Sequence, residues 1–123
     1  MINYLVVSLG AAIGGSLRYW FSGFIYKFLP ATFPYGTLII NVAGSFILGI
    51  VMFYLNEKEM ISQEVRLLLA VGFCGGFTTF STFSYETINL IKDAQYTGAV
   101  LNVFLNVALS LLGIFLAYLI SRL

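Results

Sequence analysis

Residues 75–87 read GGFTTFSTFSYET, a run of hydroxyls and phenylalanines ending next to a carboxylate, set within one of the most apolar parts of the chain. Two adjacent glycines followed by two β-branched threonines make poor helix. The sequence therefore predicts a break in a membrane helix near Gly75 to Thr79, which would free backbone carbonyls and amides inside the membrane. Irregular backbone at that depth is tolerated only where protein buries it or where it lines a cavity. In transporters and channels such breaks mark ion sites, with freed carbonyls attracting cations and the second half-helix attracting anions at its N-terminus.

Composition sets the wider frame. The chain has 123 residues, of which 60% are hydrophobic and 9% charged, with a mean hydropathy of +0.97. Soluble domains carry about 25% charged residues. The length suits one domain, 1–123. A net charge of +1 offers no nucleic-acid-binding surface. There is no histidine, and Cys74 is the only cysteine, which removes His-based catalysis, Cys/His zinc sites and an intrachain disulfide. Cys74 reads as a small packing residue. The first segment lacks a basic n-region and a cleavage site, so it reads as a retained membrane helix and not a signal peptide.

Four apolar segments, about 2–28, 35–55, 65–91 and 96–119, each approach the roughly 20 residues needed to cross a bilayer. Pro30 and Pro34 end the first, the charged NEKEMISQE stretch ends the second, and KDAQ separates the third from the fourth. The expected fold is all-α, with four transmembrane helices and a break in the third. Lys58, Arg66 and Arg122 would lie on one side of the membrane, with Lys27 and Lys92 on the other. This near-balance gives little topological bias and is compatible with insertion both ways, hence with an antiparallel dual-topology homodimer.

The polar residues of these segments fall in stripes. Thr37, Asn41 and Ser45 are spaced by four, as are Asn102, Asn106 and Ser110, and as are Gly10, Gly14, Arg18 and Ser22. Polar groups inside a bilayer face the protein interior or a wet cavity. GxxxG spacings at Gly10/Gly14 and Gly72/Gly76 read first as helix packing. Asn41, in mid-helix, fits packing and the lining of a polar pathway equally. Arg18 can snorkel to the interface or supply positive potential at an anion entrance, and Glu86 reads as a helix-end carboxylate reaching water. Phe80 and Phe83 share a helix face. Phenylalanine at that spacing is ordinarily packing, but ring edges carry partial positive charge. Edges turned to a pore would meet a partly dehydrated anion, with Ser and Thr hydroxyls completing its hydrogen bonds. With no lysine in mid-span, binding would be weak enough for the ion to leave.

At these residues the chain resembles the Fluc (CrcB) family of fluoride channels. GGFTTFSTFSYET is similar to that family's third-helix signature, GG-x-TTFSTF-x-x-E, and the likeness extends to GAAIGGSLRY in the first segment and GTLIINVAGSFILG in the second. The resemblance implies a passive, fluoride-selective channel of the cell (inner) membrane, built as an antiparallel homodimer with two pores and no enzymatic activity. Carried over by motif, Phe80 and Phe83 would line the fluoride path with Asn41, Thr37, Ser81 and Thr82, joined by Asn102 and Asn106 of the fourth helix. Arg18 and Glu86 would sit at the vestibules. The backbone carbonyls of Gly75 and Thr78, from both subunits, would hold a structural sodium ion.

Two other readings of a short four-span protein compete. A proton-coupled exporter similar to the small multidrug resistance family needs a carboxylate in its first helix, where this chain has neither Asp nor Glu. A non-transporting helper subunit would use the polar stripes only as glue. An enzyme has least support, since Ser81 has no histidine or lysine near it in sequence.

Overall fold

The computed structural model describes all 123 residues, Met1–Leu123. Helix α1 spans Ile2–Ile25, and α2 spans Tyr35–Gly49 and continues as a π-helical segment, Ile50–Asn56. The third segment is composite: α3 (Gln63–Arg66), a second π-helical segment (Leu67–Cys74), one further turn α4 (Gly75–Phe77), and then α5 (Phe80–Lys92). Helix α6 spans Tyr96–Ser121. The chain is all-helical, without strands. Three stretches, Tyr35–Asn56, Gln63–Lys92 and Tyr96–Ser121, are long and apolar enough to cross a membrane, making this a multi-pass membrane protein.

The connections are short and end their helices with local chemistry. Lys27 and Phe28 make turn hydrogen bonds back to Phe24 and Ile25 before Pro30, and Pro34 caps the start of α2, where its missing N–H costs nothing. After the π-helical end of the second segment, the Met60 N–H reaches back to the Leu55 carbonyl at 2.8 Å, with Glu59 left-handed at φ 57°. After α5, the Gln95 N–H does the same to Leu90 at 2.8 Å, with Ala94 at φ 59°. Both are Schellman-type stops, here made without the usual glycine. Ser62 caps α3, its hydroxyl accepting from the Val65 N–H at 3.2 Å.

Two packing seams organise the bundle: α1 against the π-helical segment Leu67–Cys74 and α4, and α2 against α6. The first is a glycine seam. A Cβ built on Gly72 would lie 2.7 Å from the Val7 carbonyl oxygen and 2.9 Å from the Gly10 Cα, and one on Gly76 would lie 2.5 Å from the Ala11 carbonyl oxygen. Gly10 and Gly14 are equally tight against Leu68 and Phe73 backbone. Both GxxxG pairs therefore interlock backbone to backbone, the arrangement that small residues permit between membrane helices. Ile25, Ile40 and Phe77 form the apolar centre, with Phe21, Tyr35 and Phe73 packed around them.

The predicted break is present, at the C-terminal end of the range Gly75 to Thr79. Gly75 is helical at φ −63°, ψ −37°, and the break falls on Thr78 (ψ 157°) and Thr79 (φ −151°, ψ 123°). Gly76 is a close-approach residue of the seam, whereas Gly75 faces open space. The threonines, β-branched and able to bond locally through their hydroxyls, are the residues that leave the helix.

Placing leucine at Gly14 or Gly76 drives a side chain into backbone that has no room to yield. Such overpacking should destabilise the fold by about 1–3 kcal/mol or more, whereas Gly15→Leu, whose Cβ would meet nothing within 4 Å, should be tolerated. Denaturation midpoints in detergent compare the three variants directly.

Candidate functional site: the helix break and its groove

A helix that stops inside an apolar span leaves carbonyls and amides to be satisfied. At Thr78–Thr79 this is done by side chains from three helices. Asn41 of α2 clasps Thr79 on both sides: its Oδ1 accepts from the Thr79 N–H at 2.9 Å, and its Nδ2 donates to the Thr79 carbonyl at 3.1 Å. The carboxamide thus pairs with the extended residue as a neighbouring strand would. Thr79 also caps α5, its hydroxyl accepting from the Thr82 N–H at 3.2 Å and donating to the Thr82 hydroxyl at 3.1 Å. Arg18 of α1 donates from Nε to the Gly76 carbonyl at 3.1 Å. The Cys74 carbonyl accepts twice, from the N–H of Thr78 at 2.9 Å and from its hydroxyl at 2.8 Å.

Asn41 extends the network into α6. Its Nδ2 also donates to Asn106 Oδ1 at 3.0 Å, and Asn106 Nδ2 donates to the side-chain and main-chain oxygens of Asn102, both at 2.9 Å. Asn102 is fully buried and Asn106 nearly so. Polar groups this deep are retained only when paired, and these three carboxamides pair with one another. Both Asn41 N–H donors and its oxygen are committed to the break and to Asn106.

Beside the break lies a groove of about 360 Å³. Its walls include Asn41, Ser45, Gly75, Thr78, Thr79, Phe80, Phe83, Asn106 and Ser110. Phe80 and Phe83 meet here with ring centroids 5.3 Å apart and planes inclined at 56°. The two rings differ sharply in burial: Phe83 is 8% exposed and Phe80 77%.

The structure thus brings together on one groove Phe80, Phe83, Asn41, Asn106, Gly75 and Thr78 from the residues singled out by sequence. Asn102 stands behind the wall, bonded to Asn106. Ser81 is exposed and Thr82 half-buried on the first turn of α5, both next to the Thr79 hydroxyl. Thr37 is not on the groove; it is buried near the start of α2, with its hydroxyl beside the Glu86 carboxyl. Glu86 is half-buried, with its Oε1 enclosed and without a hydrogen-bond partner. The Thr37–Asn41–Ser45 stripe therefore divides, because Thr37 sits a full turn before the residues that meet the break. Sequence reasoning also gave Thr79 no role as clasp and cap, although a threonine immediately before an apolar helix is an N-cap signal.

Residues 5–118 match the family described as "CrcB-like protein, Camphor Resistance (CrcB)". The chain belongs to the CrcB family. It is 44% identical over 122 residues to a protein of Sulfurihydrogenibium sp. (strain YO3AOP1), covering 99% of this chain and 98% of that one. Relatives from Geobacter sulfurreducens, at 43% over 122 residues, and Coxiella burnetii (strain Dugway 5J108-111), at 45% over 124 residues, are covered to 98% of their own length. Each of the three is named "Fluoride-specific ion channel FluC". These names denote ion channels and not enzymes.

The clasp has a measurable weight. Asn41→Leu leaves the Thr79 N–H and carbonyl and the Asn106 Oδ1 unpaired, and each buried orphan costs about 1–3 kcal/mol. Thr79→Val removes the cap, at about 1 kcal/mol, and a bond to the half-buried Thr82 hydroxyl, while leaving the Asn41 clasp intact. Chemical denaturation in detergent should rank Asn41→Leu as clearly the more damaging of the two.

Proposed function

We propose that this chain is a passive, fluoride-selective channel that lets fluoride leave the cytoplasm across the cell (inner) membrane. Membership of a family whose relatives are named fluoride-specific channels supports the ion. The groove beside the helix break, walled by a phenylalanine pair and by hydroxyls, supports the path. That groove is the single observation that carries the reading, because it joins an aromatic wall to hydrogen-bond donors at an interruption of an apolar span.

The chemistry follows from the lining. A small anion entering the groove gives up part of its water, and ring edges with partial positive charge would face it where a lysine would hold it too tightly. The N–H donors of Asn41 are committed to the break and to Asn106, and those of Asn106 to Asn102, so the donors open to an ion are hydroxyls: Ser45 and Ser110 on the groove wall and Ser81 and Thr82 at the start of α5. Thr37, Glu86 and Arg18 would act further along the route; Arg18 brings a guanidinium to the back of the break. Asn102 would contribute by holding Asn106. Fluoride enters cells as the neutral acid and dissociates in the less acidic cytoplasm, so a passive anion path lets the membrane potential drive it out.

The channel is an antiparallel dual-topology homodimer with two pores, and each copy crosses four times. Helix α1, 24 residues and roughly 36 Å at 1.5 Å per residue, supplies the remaining span although Arg18, serines and glycines dilute its hydropathy. In the most apolar 18-residue stretch of each of the other three spans, only 28%, 22% and 17% is buried within one copy, leaving wide apolar faces for lipid and for the second copy. Phe80, so largely uncovered in one copy, fits a path completed by two.

The break also suits a structural sodium ion. The Thr79 N–H, the usual partner of the Gly75 carbonyl, donates to Asn41, and the Thr82 N–H, the usual partner of the Thr78 carbonyl, donates to the Thr79 hydroxyl. Gly75 and Thr78 both lie on the groove, and uncharged carbonyl oxygens suit a hard cation. Gly75 and Thr78 of the two copies would hold the ion, whose charge ties the breaks together at the dimer centre.

Protein reconstituted alone in liposomes should release fluoride once a potassium ionophore clamps the potential, and chloride far more slowly; a fluoride electrode reads the efflux. Release no faster than from protein-free vesicles would end the channel reading. Phe80→Ile and Phe83→Ile should each slow efflux roughly tenfold or more, equivalent to raising the barrier by about 1.4 kcal/mol, while the dimer still assembles. Replacing sodium with a large organic cation throughout purification should reduce dimer yield or flux, and unchanged values of both would remove the ion from the proposal.

A further inference from the structure

Thr87 has no part in the roles above, yet it closes a directional chain of hydrogen bonds. The Thr79 N–H donates to Asn41 Oδ1 at 2.9 Å, Asn41 Nδ2 to Asn106 Oδ1 at 3.0 Å, and Asn106 Nδ2 to Asn102 Oδ1 at 2.9 Å. Asn102 Nδ2 then donates to the Thr87 hydroxyl at 2.9 Å, and that hydroxyl donates to the Phe83 carbonyl at 2.8 Å. Every donor points the same way, so each bond polarises the next. The chain leaves the third segment at the residue before Phe80, crosses α2 and α6, and returns at Phe83. It therefore ties together both ends of the stretch that carries the ring pair.

The geometry also explains why Thr87 differs from Ser84. Both hydroxyls donate to the carbonyl four residues earlier, Ser84 to Phe80 at 3.0 Å and Thr87 to Phe83. Such back-bonding bends a helix locally. The Ser84 hydroxyl has no tie to another helix, whereas the Thr87 oxygen accepts from a fully buried carboxamide. That bond fixes the hydroxyl's rotamer and directs its proton to the Phe83 carbonyl.

We propose that Thr87 is a positioning residue: it couples the carboxamide chain to the Phe83 carbonyl and so sets where the Phe83 ring stands on the groove wall. Its consequence for transport rests on the reading that the ring pair lines the fluoride path.

The test uses the full-length protein in liposomes, with para-fluorophenylalanine at position 83 as a fluorine NMR probe of the ring, alongside the ratio of fluoride to chloride flux. Thr87→Val keeps the side chain's shape and removes the hydroxyl; it should move the ring signal and lower the ratio about tenfold. Thr87→Ser, which keeps the hydroxyl, should restore both. In an Asn102→Leu background, Thr87→Val should change neither measurement further, because the chain is already cut. If Thr87→Val does not assemble, Thr87→Ala carries the same expectation without added bulk. A ring signal unmoved by loss of the hydroxyl, or a serine variant that restores nothing, overturns the proposal. A wild-type protein that passes no fluoride ends the channel reading, while the ring signal still decides whether Thr87 positions Phe83.

Discussion

Backbone polar groups released inside an apolar span need partners, since in hydrocarbon each one left alone costs several kcal/mol. At Thr78–Thr79 that requirement is met by the Asn41 carboxamide, which takes both the N–H and the carbonyl of Thr79. Much of the molecule serves this clasp. The α2–α6 seam brings Asn106 against Asn41. The glycine seam brings α1 close enough to the third segment for Arg18 to reach the Gly76 carbonyl. Thr79 caps the half-helix that follows. The break is thus held from three directions and is as determinate as the helices on either side.

The same arrangement decides what chemistry is left for an ion. Amides that might have bound an anion strongly are used in holding the backbone, and the one arginine near the break is turned to a carbonyl. What remains on the groove is an aromatic wall, weakly donating hydroxyls, and two residues, Gly75 and Thr78, whose carbonyls have lost their usual helical partners. Such a surface favours passage over retention. On the proposed reading, anion and cation chemistry would be separated in space along one broken segment, with hydroxyls and rings after the break and carbonyls within it.

The unequal burial of the two rings carries the argument beyond one copy. Phe83 is anchored between α5 and the groove, whereas Phe80 projects from it. An exposed ring is unremarkable on a face turned to lipid. It is unusual at a polar groove, where hydrocarbon would have to meet hydroxyls. The second copy of the proposed dimer would resolve this mismatch by completing the groove wall.

By itself the sequence determined the class of the protein: long apolar runs, scarce charge and Gly/Pro punctuation leave little besides a helical membrane protein. It also located the interruption to within a few residues, because adjacent glycines and β-branched threonines are weak in any helix. Stripes spaced by four identified Asn41, Asn102, Asn106, Ser45 and Ser110 as inward-facing, since that spacing depends only on helical geometry. Tertiary structure decided which residues break and which pack: Gly76 stays helical because α1 presses on it, and the threonines leave because Asn41 is there to receive Thr79. It decided that Thr37 meets Glu86 instead of the groove, that Arg18 bonds to the Gly76 carbonyl, and that Asn102 bonds to the Thr87 hydroxyl. Partners of that kind are brought together by the packing of different helices, and spacing along one helix carries no record of what the next helix will place opposite it.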